Sequence, residues 1–355
     1  MSVFQHPDYD SHEKLVFHHD ASSGLKAIIA IHNTNLGCAL GGCRMWPYAS
    51  DDEAITDVLR LSRGMTYKAA ITGLNLGGGK AVIIGDPLRD KTPQRLKAMG
   101  RLVESLHGEY VTAEDVGIGE QDVAMMSTET RYATGFEHVA GVSGDPSPYT
   151  AYGVFRGIEQ AARFQLGWDT LAGIRVAIQG VGKVGYELAR LLSAAGARVY
   201  AADIFTDNLK KAVADLGVIP VLPEDILRQP AEVFSPCAMG AVINETGLRE
   251  LAAPVVAGSA NNQLSTAEDG QRLQAAGILY VPDYVINAGG LIDVYYQYFG
   301  ADRQEVLRHI DEMAAKTLPE IFQRSKVTGA ATSDVADELA RSRFMGSTQA
   351  HTDAA

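Results

Sequence analysis

Two lysines and an aspartate in the first half of the 355-residue chain are side chains that could move protons and bind a carboxylate. Lys80 follows three glycines, so a small substrate could reach its amine while the lysine stays enclosed away from water. Such enclosure lowers the pKa of a lysine and makes it a candidate base near neutral pH. Lys68 could supply a fixed cation, and Asp115 follows a predicted strand end, where α/β proteins carry active-site groups. The alternative for each residue on its own is a solvated lysine or a turn cap.

A glycine fingerprint lies in the middle of the chain. It follows the predicted strand Arg175–Gln179 and precedes a predicted helix, which is the context that dinucleotide binding requires. Asp203 ends the next predicted strand, where a carboxylate accepts ribose hydroxyls and repels the 2′-phosphate of NADP. The alternative is a tight strand-to-helix turn without a ligand. The pattern predicts an NAD site formed by Gly180, Val181, Gly182, Lys183, Val184, Gly185 and Asp203.

The composition excludes several classes of protein. Hydrophobic residues make up 46% and charged residues 21% of the chain, as in globular proteins with a substantial core. The formal net charge of −12 argues against nucleic acids and anionic membranes as partners. Three cysteines without ligand spacing favour neither disulfides nor a metal site, so a cytoplasmic location and no metal are expected. No signal peptide and no membrane-spanning segment are expected, because the first residues lack a basic start and an apolar core and no long apolar run occurs.

The order of predicted elements indicates an α/β fold with two domains. The second half alternates strands with helices, which implies parallel pairing and right-handed crossovers. The first half mixes both, with a glycine-rich turn predicted directly before the strand at 81–84. Its other predicted elements are strands at 25–31 and 110–113, a helix that starts at Asp51 and a helix at 92–106. The predicted domains are 1–140 and 141–330, with a C-terminal helix at 331–355 that rejoins the first.

Seven ordered blocks resemble the glutamate, leucine, phenylalanine and valine dehydrogenases, and most closely the leucine dehydrogenase branch. The blocks are Gly41–Met45, Gly64–Lys68, Gly73–Lys80, Thr112–Gly117, Pro236–Gly240, Gly258–Leu264 and Pro282–Gly290. The resemblance implies an N-terminal α/β domain for substrate binding and oligomerisation. It also implies a doubly wound Rossmann domain that binds NAD, with a cleft between the two domains.

The resemblance implies NAD-dependent oxidative deamination of an L-amino acid to a 2-oxo acid and ammonium, and the reverse reductive amination. Lys68 would hold the substrate α-carboxylate, helped by the backbone at Gly41 and Gly42. Lys80 would activate water for attack on the imine, and Asp115 would carry protons to and from nitrogen and oxygen. The expected partners are these small molecules and further copies of the chain, because the family forms homo-oligomers.

The same resemblance assigns residues around the cofactor. Asn262 would contact both the substrate amino group and the nicotinamide end of NAD. The other expected cofactor contacts are Thr150, Ala238, Met239 and Asn287.

Five apolar residues resemble the side-chain pocket of the family: Leu40, Met65, Ala113, Leu291 and Val294. In the glutamate branch a lysine at the position of Leu40 binds the side-chain carboxylate. A buried carboxylate without that partner costs several kcal/mol, so glutamate is disfavoured, and the apolar residues suit an aliphatic or aromatic substrate. The resemblance to the leucine dehydrogenase branch implies leucine or another branched-chain amino acid.

Two departures from the leucine branch keep other substrates open. Leu291 replaces a common valine and could narrow the pocket towards valine or repack it around an aromatic ring. Asp293 replaces an asparagine, and helical spacing puts it on a different face from Leu291 and Val294. The alternatives are a phenylalanine- or tryptophan-preferring dehydrogenase and a non-catalytic NAD-binding sensor, although a sensor would be expected to lack the lysines or Asp115.

Overall fold

The computed structural model describes residues 3–136, 144–238, 240–300 and 302–346. The chain divides into two compact units. Of the described residues, the first unit contains 3–136, 144–145, 297–300 and 340–346, and the second contains 146–238, 240–296 and 302–339.

The first unit is built on a five-stranded mixed sheet in the order β1-β2-β4-β3-β5. The strands are β1 (Lys14–Asp20), β2 (Leu25–Asn33), β3 (Ala39–Trp46), β4 (Gly77–Ile84) and β5 (Tyr110–Ala113). β1 and β4 run antiparallel to β2, whereas β3 runs parallel to β4 and β5. The strands predicted at 25–31 and 110–113 are confirmed.

Helices cover both faces of this sheet: α1 (Asp51–Ile71), α2 (Pro93–Glu104) and α3 (Glu120–Met126). The middle of β2, residues 27–31, is apolar because Ile29 and Ile31 pack in the core with α2 and α3, while Ile28 and Ala30 pack in the core with α1. α1 begins at Asp51 as predicted, and its first turn is capped by the side chain of the preceding serine.

The glycines before Lys80 belong to β4, so the predicted glycine-rich turn is wrong. A Cβ on Gly78 would lie 2.0 Å from the backbone nitrogen of Thr66 on α1. A Cβ on Gly79 would lie 2.7 Å from the ring of Tyr110 on β5. Glycine is normally disfavoured inside a strand, but close approach of another element overrides that preference here.

The second unit is built on a six-stranded sheet in the order β11-β10-β9-β6-β7-β8, and all its pairs are parallel. The strands are β6 (Arg175–Gln179), β7 (Arg198–Ala202), β8 (Ile219–Pro220), β9 (Val233–Pro236), β10 (Val255–Val256) and β11 (Leu279–Tyr280). The order reverses between β6 and β9, which is the switch point of the doubly wound Rossmann fold. The predicted parallel pairing is confirmed.

The remaining helices precede, separate or follow these strands. They are α4 (Ser147–Ala161), α5 (Lys183–Ala194), α6 (Thr206–Leu216), α7 (Glu245–Glu250), α8 (Ala267–Ala275), α9 (Asp283–Ile286), α10 (Gly289–Phe299), α11 (Arg303–Thr328) and α12 (Thr332–Gly346). Within the described ranges, none of the helices combines the length and the apolar character that a membrane crossing needs.

Candidate active site

Strand register brings two of the predicted catalytic residues together in the first unit. Gly42 of β3 pairs with Ala113 of β5, and the parallel register of β3 with β4 brings Gly42 beside Lys80. Asp115 follows two residues after Ala113, and a Cβ on Gly42 would lie 2.8 Å from its Cβ. The missing side chain at Gly42 therefore leaves room for Asp115 to turn towards Lys80.

Lys80 and Asp115 form an ion pair that is largely shielded from water. Nζ of Lys80 lies 2.5 Å from Oδ2 of Asp115, and the two side chains are 7% and 21% exposed. Burial raises the pKa of the Asp115 carboxyl, but the positive charges of Lys80 and Arg44 outweigh burial and hold that pKa below its ordinary value. The site thus presents an ionised carboxylate in contact with an amine, an arrangement suited to proton transfer.

Arg44 is a residue of this site that the sequence patterns did not single out. Its Nε donates to Oδ2 of Asp115 at 3.1 Å, and its Nη1 donates to both carboxylate oxygens of Asp57 at 2.9 and 3.1 Å. The hydroxyl of Tyr48 donates to Oδ2 of Asp57 at 2.6 Å. The available signal was the position of Arg44 two residues after Gly42, because alternate residues of a strand share a face.

The backbone at Gly41 and Gly42 is held by close packing. A Cβ on Gly41 would lie 1.8 Å from the carbonyl oxygen of Gly79 and 3.3 Å from Cγ of Met65. The hydroxyl of Tyr110 donates to the carbonyl oxygen of Gly41 at 2.6 Å. The positions of these two glycines are therefore fixed by neighbouring strands and by α1.

The loop between β6 and α5 in the second unit has the strand-turn-helix geometry that the glycine fingerprint predicts. Gly180 has a φ of +93°, which favours glycine, and a Cβ there would lie 2.7 Å from Cβ of Ala238. A Cβ on Gly185 would lie 2.0 Å from the carbonyl oxygen of Gly180. A Cβ on Gly182 would meet no atom of the described residues within 4 Å. The first and third glycines thus serve packing, whereas the second faces open space that a ligand can enter.

The residues between these glycines start the helix. Gly182 caps α5 without a side-chain hydrogen bond, so the first N–H groups of the helix are available to an anion. Val181 is buried, Val184 is half-buried and Lys183 is exposed.

Asp203 follows β7 and is oriented by backbone groups. Its Oδ2 accepts a hydrogen bond from the backbone nitrogen of Val181 at 2.8 Å, and its Oδ1 accepts one from that of Phe205 at 2.7 Å. An ionised carboxylate offers about four acceptor sites, so it can accept further hydrogen bonds.

Asp203 also borders a pocket of about 510 Å³ that the sequence analysis missed. The other lining residues are Ile204, Thr206, Leu209, Pro220, Val221, Leu222 and Pro223. No sequence pattern marks this pocket, because the exposure of its apolar residues, 79% for Ile204 and 60% for Leu222, is known only from the structure. The pocket has the size and apolar lining of a small-molecule site.

Comparison with known proteins identifies the family. The family model described as Glu/Leu/Phe/Val dehydrogenase, dimerisation domain, matches residues 12–132. The model described as Glutamate/Leucine/Phenylalanine/Valine dehydrogenase matches residues 141–204 and 206–350. The chain belongs to the Glu/Leu/Phe/Val dehydrogenase family. The resemblance inferred from the sequence blocks is thereby confirmed, and so is the α/β fold.

Individual relatives in this family match nearly the whole chain. A leucine dehydrogenase from Thermoactinomyces intermedius is 48% identical over 344 residues, which cover 97% of this chain and 94% of the relative. A phenylalanine dehydrogenase from Caldalkalibacillus thermarum is 43% identical over 349 residues, with the same coverage. The crystal structure of L-tryptophan dehydrogenase from Nostoc punctiforme has a TM-score of 0.84 at 40% identity, covering 95% of this chain and 97% of that chain. Members of the family are NAD(P)-dependent dehydrogenases, and this chain is an amino-acid dehydrogenase.

The five residues that the family resemblance assigns to the substrate side chain lie in both units. Leu40 and Ala113 are buried in β3 and β5, and Met65 is half-buried on α1 beside Gly41. Leu291 and Val294 lie on α10 of the second unit, and each is 7% exposed.

Lys68 is the charged residue assigned to the substrate, whereas Asp293 is expected to lie on a different helix face from Leu291 and Val294. Lys68 is half-buried in the last turn of α1, where the helix dipole favours a cation. Asp293 on α10 is only 3% exposed, so this carboxylate is buried together with its apolar neighbours on the helix.

Two asparagines assigned to the cofactor and substrate make hydrogen bonds within the second unit. Asn262 is exposed, has a φ of +52°, and accepts a hydrogen bond on its carbonyl oxygen from the nitrogen of Ala241 at 2.6 Å. Asn287 is 4% exposed, and its Nδ2 donates to the carbonyl oxygen of Ser259 at 3.1 Å and to Oδ1 of Asn261 at 2.7 Å.

The other residues assigned to the cofactor are smaller. The hydroxyl of Thr150 donates to the carbonyl oxygen of Pro146 at 3.2 Å in the first turn of α4. Ala238 is exposed and packs against Gly180. Met239 lies outside the described residues.

Proposed function

We propose that this chain catalyses the NAD-dependent oxidative deamination of leucine and related branched-chain L-amino acids, and the reverse reductive amination. The observation that carries the proposal is the shielded pair of Lys80 and Asp115, whose charged atoms lie 2.5 Å apart. Leucine as the substrate is supported by relatives named leucine dehydrogenase at 46% to 48% identity over 97% of the chain.

The proposed reaction begins with the amino acid bound to the first unit. Lys68 binds the α-carboxylate, and the backbone at Gly41 and Gly42 assists. Asp115 accepts a proton from the substrate ammonium, because only the neutral amine can drive departure of hydride from the α-carbon. The substrate becomes an imine as the hydride leaves.

The imine is then hydrolysed. Lys80 first releases its own proton to solvent and then accepts a proton from water while the water oxygen bonds to the imine carbon. Asp115 returns a proton to the nitrogen and accepts the proton of the new hydroxyl group as the carbon–nitrogen bond breaks, which releases ammonia and leaves the 2-oxo acid. The separation of 2.5 Å between the two side chains allows a proton to pass from one to the other.

The glycine loop of the second unit supports NAD as the hydride acceptor. The open space at Gly182 and the start of α5 suit a pyrophosphate, and Asp203 suits the ribose hydroxyls. The pocket beside Asp203 suits adenine. Asn262 is proposed to lie towards the nicotinamide, and Thr150, Ala238 and Asn287 are proposed to contact the cofactor. When bound, NAD supplies the carbon that accepts hydride from the amino acid.

The apolar residues support a substrate with an uncharged side chain. Leu40 is 2% exposed and stands where the glutamate branch carries a lysine, so a substrate carboxylate there would lose its partner. One methylene in an apolar pocket changes binding by only about 1–3 kcal/mol, so related aliphatic amino acids should also react.

An aromatic amino acid is the second candidate substrate. The favouring observations are the 43% identity to a phenylalanine dehydrogenase and the TM-score of 0.84 against a tryptophan dehydrogenase. The pocket around Leu291 would need to repack to admit an aromatic ring.

The test follows the absorbance of NADH with leucine, isoleucine, valine, phenylalanine, tryptophan and glutamate, using Lys80→Ala as the control variant. Leucine or another branched-chain amino acid should give the highest kcat/KM, and Lys80→Ala should lower it by about 100-fold or more. No turnover on any amino acid, with NAD still bound, would support a non-catalytic sensor. Turnover of glutamate alone would contradict the pocket argument.

The chain is also proposed to form a homo-oligomer in the cytoplasm. The first family model is described as a dimerisation domain, and β1 lies at an edge of its sheet. The cysteines at 38, 43 and 237 are free thiols, as a reducing compartment would keep them. Sedimentation equilibrium tests the oligomer.

A further inference from the structure

Arg44 connects the proposed proton carrier to the helix behind it. Its guanidinium donates from Nε to Asp115 and from Nη1 to both oxygens of Asp57 on α1. The arginine and aspartate side chains retain only 21% to 25% exposure. Shielded pairs of this kind hold their geometry better than surface ion pairs, which water and salt weaken.

Two donors from different strands determine the place of the Asp115 carboxylate. Oδ2 of Asp115 accepts from Lys80 of β4 at 2.5 Å and from Arg44 of β3 at 3.1 Å. In the proposed reaction Lys80 changes its protonation, so its bond to Asp115 changes during turnover. Arg44 stays charged throughout, because a guanidinium does not lose its proton in proteins. Arg44 is therefore the constant partner of Asp115.

The arginine is itself fixed by Asp57 and Tyr48, which together are called the brace. A planar guanidinium can donate to one carboxylate from Nε and to another from Nη1 at the same time. This fixed set of donors, here called the fork, is missing in lysine, whose ammonium is a compact point charge. Tyr48 donates to Oδ2 of Asp57 at 2.6 Å, and burial together with Asp57 raises the pKa of its phenol, so the hydroxyl remains a donor. Asp57 and Tyr48 thus hold Arg44 through a different nitrogen from the one that donates to Asp115.

We propose that Arg44 is a positioning residue, which holds the carboxylate of Asp115 for proton transfer while Asp57 and Tyr48 brace its guanidinium. The inference rests on the proposed function. Arg44 acts through Asp115, so its loss should lower kcat much more than it raises KM for the amino acid.

The charges around Asp115 make this role measurable. The titratable groups that interact with it are Lys80 on β4, Cys43 and Arg44 on β3, Tyr48 after β3, and Tyr110 on β5. Asp57 on α1 is linked to it through Arg44. Burial raises the pKa of the Cys43 thiol and of the Tyr110 phenol, so both stay neutral. Lys80 and Arg44 are thus the cations that bond to Asp115 in the described site, and replacing Arg44 removes one of them.

The first measurement does not depend on turnover. Aspartate labelled with carbon-13 at the carboxyl is titrated by NMR in the full-length protein, with Asp115→Asn to assign the signal. Arg44→Gln should raise the pKa of Asp115 by about 1 unit or more, whereas Arg44→Lys should keep it low. An unchanged pKa in Arg44→Gln overturns the inference.

The second measurement separates position from charge. Arg44→Lys keeps the charge but loses the fork, so kcat with leucine and NAD should fall by about 10- to 100-fold, with KM for leucine within about twofold. The acid limb of the pH profile should move upward in Arg44→Gln but not in Arg44→Lys. Wild-type kcat in Arg44→Lys overturns the inference.

Matched variants keep the test decisive. Arg60→Gln breaks a pair with Asp8 at 2.7 Å in which the arginine is 67% exposed, and it should leave pKa, kcat and KM unchanged. If thermal melting shows that Arg44→Gln is unfolded, Asp57→Asn replaces it, and its kcat should fall because the brace is lost. If wild type turns over no amino acid, the proposed function fails, while the NMR titration still tests the hold of Arg44 on Asp115.

Discussion

The backbone nitrogen of Thr66 lies 2.0 Å from the point that a Cβ on Gly78 would occupy. Helix α1 therefore rests directly on strand β4 at this glycine. Lys68 follows Thr66 by two residues on the helix, and Lys80 follows Gly78 by two residues on the strand. The missing side chain at Gly78 lets the segments that carry the two lysines approach each other.

A methyl group at this glycine should damage the fold. Gly78→Ala places a Cβ against helix backbone, which cannot move aside as a flexible side chain can, so the free energy of unfolding should fall by about 1–3 kcal/mol or more. Gly64→Ala is the matched control on α1, because a Cβ there meets no described atom within 4 Å. It should raise the free energy of unfolding by about 0.5–1 kcal/mol. Urea unfolding measures both, and equal stabilities would contradict the tight contact.

The contact between Gly78 and Thr66 illustrates which features the sequence could predict and which it could not. Gly180–Gly185 was predictable because the strand, the turn and the helix that give those glycines their role are adjacent in sequence. The role of Gly78 depends on Thr66, which reaches it only through the packing of α1 on the sheet. Composition therefore predicted a turn where the chain forms a strand.

The ion pairs of the site show the same contrast between local sequence signals and contacts that depend on tertiary packing. Lys80 and Asp115 were singled out by residue type and by their position beside predicted turns. Arg44 bonds to Asp115 from 71 positions earlier, across a parallel pairing that no local pattern encodes. The pocket beside Asp203 likewise combines residues after β7 with residues after β8.

Two buried histidines should make stability fall in mild acid. Burial lowers the pKa of His32 to about 4 and also lowers the pKa of His12, although Asp10 partly opposes this effect at both rings while Arg63 reinforces it. The unfolded chain binds protons below about pH 6.5, whereas folded His32 does not until about pH 4. Stability contributed by neutral His32 is therefore complete above pH 6.5 and is lost as the pH falls towards 4, by up to about 3 kcal/mol.

The pH effect can be isolated by comparing variants. Urea unfolding of wild type at pH 7 and pH 5 should show a larger loss than that of His32→Gln, which lacks the group that titrates. His19→Gln, at an exposed position of β1, should lose as much stability as wild type. If His32→Gln and wild type lose the same amount, His32 is not held neutral by the fold.

Two glycines of the NAD loop should respond oppositely to the same substitution. Gly182→Ala adds a Cβ in open space, so thermal stability should stay near wild type while the Kd for NAD rises by about tenfold or more. Gly185→Ala places a Cβ 2.0 Å from the carbonyl oxygen of Gly180, so the melting temperature should fall. Calorimetric titration with NAD and thermal melting separate the two effects. Unchanged NAD affinity in Gly182→Ala would mean that the open space is not the pyrophosphate site.

The end of α12 should stabilise the helix that carries Lys68. Phe344 is 4% exposed, and its ring centroid lies 5.3 Å from that of Tyr67 and 6.1 Å from that of His32. Arg343 donates to the carbonyl oxygens of residues 70 and 71, which close the last turn of α1. Phe344→Ala should therefore lower the free energy of unfolding by about 3–5 kcal/mol.

The matched control is Met345→Ala, at a residue that is 54% exposed, and it should change the free energy of unfolding by less than about 0.5 kcal/mol. Urea unfolding followed by tryptophan fluorescence compares them, and equal losses would show that the end of α12 does not support α1.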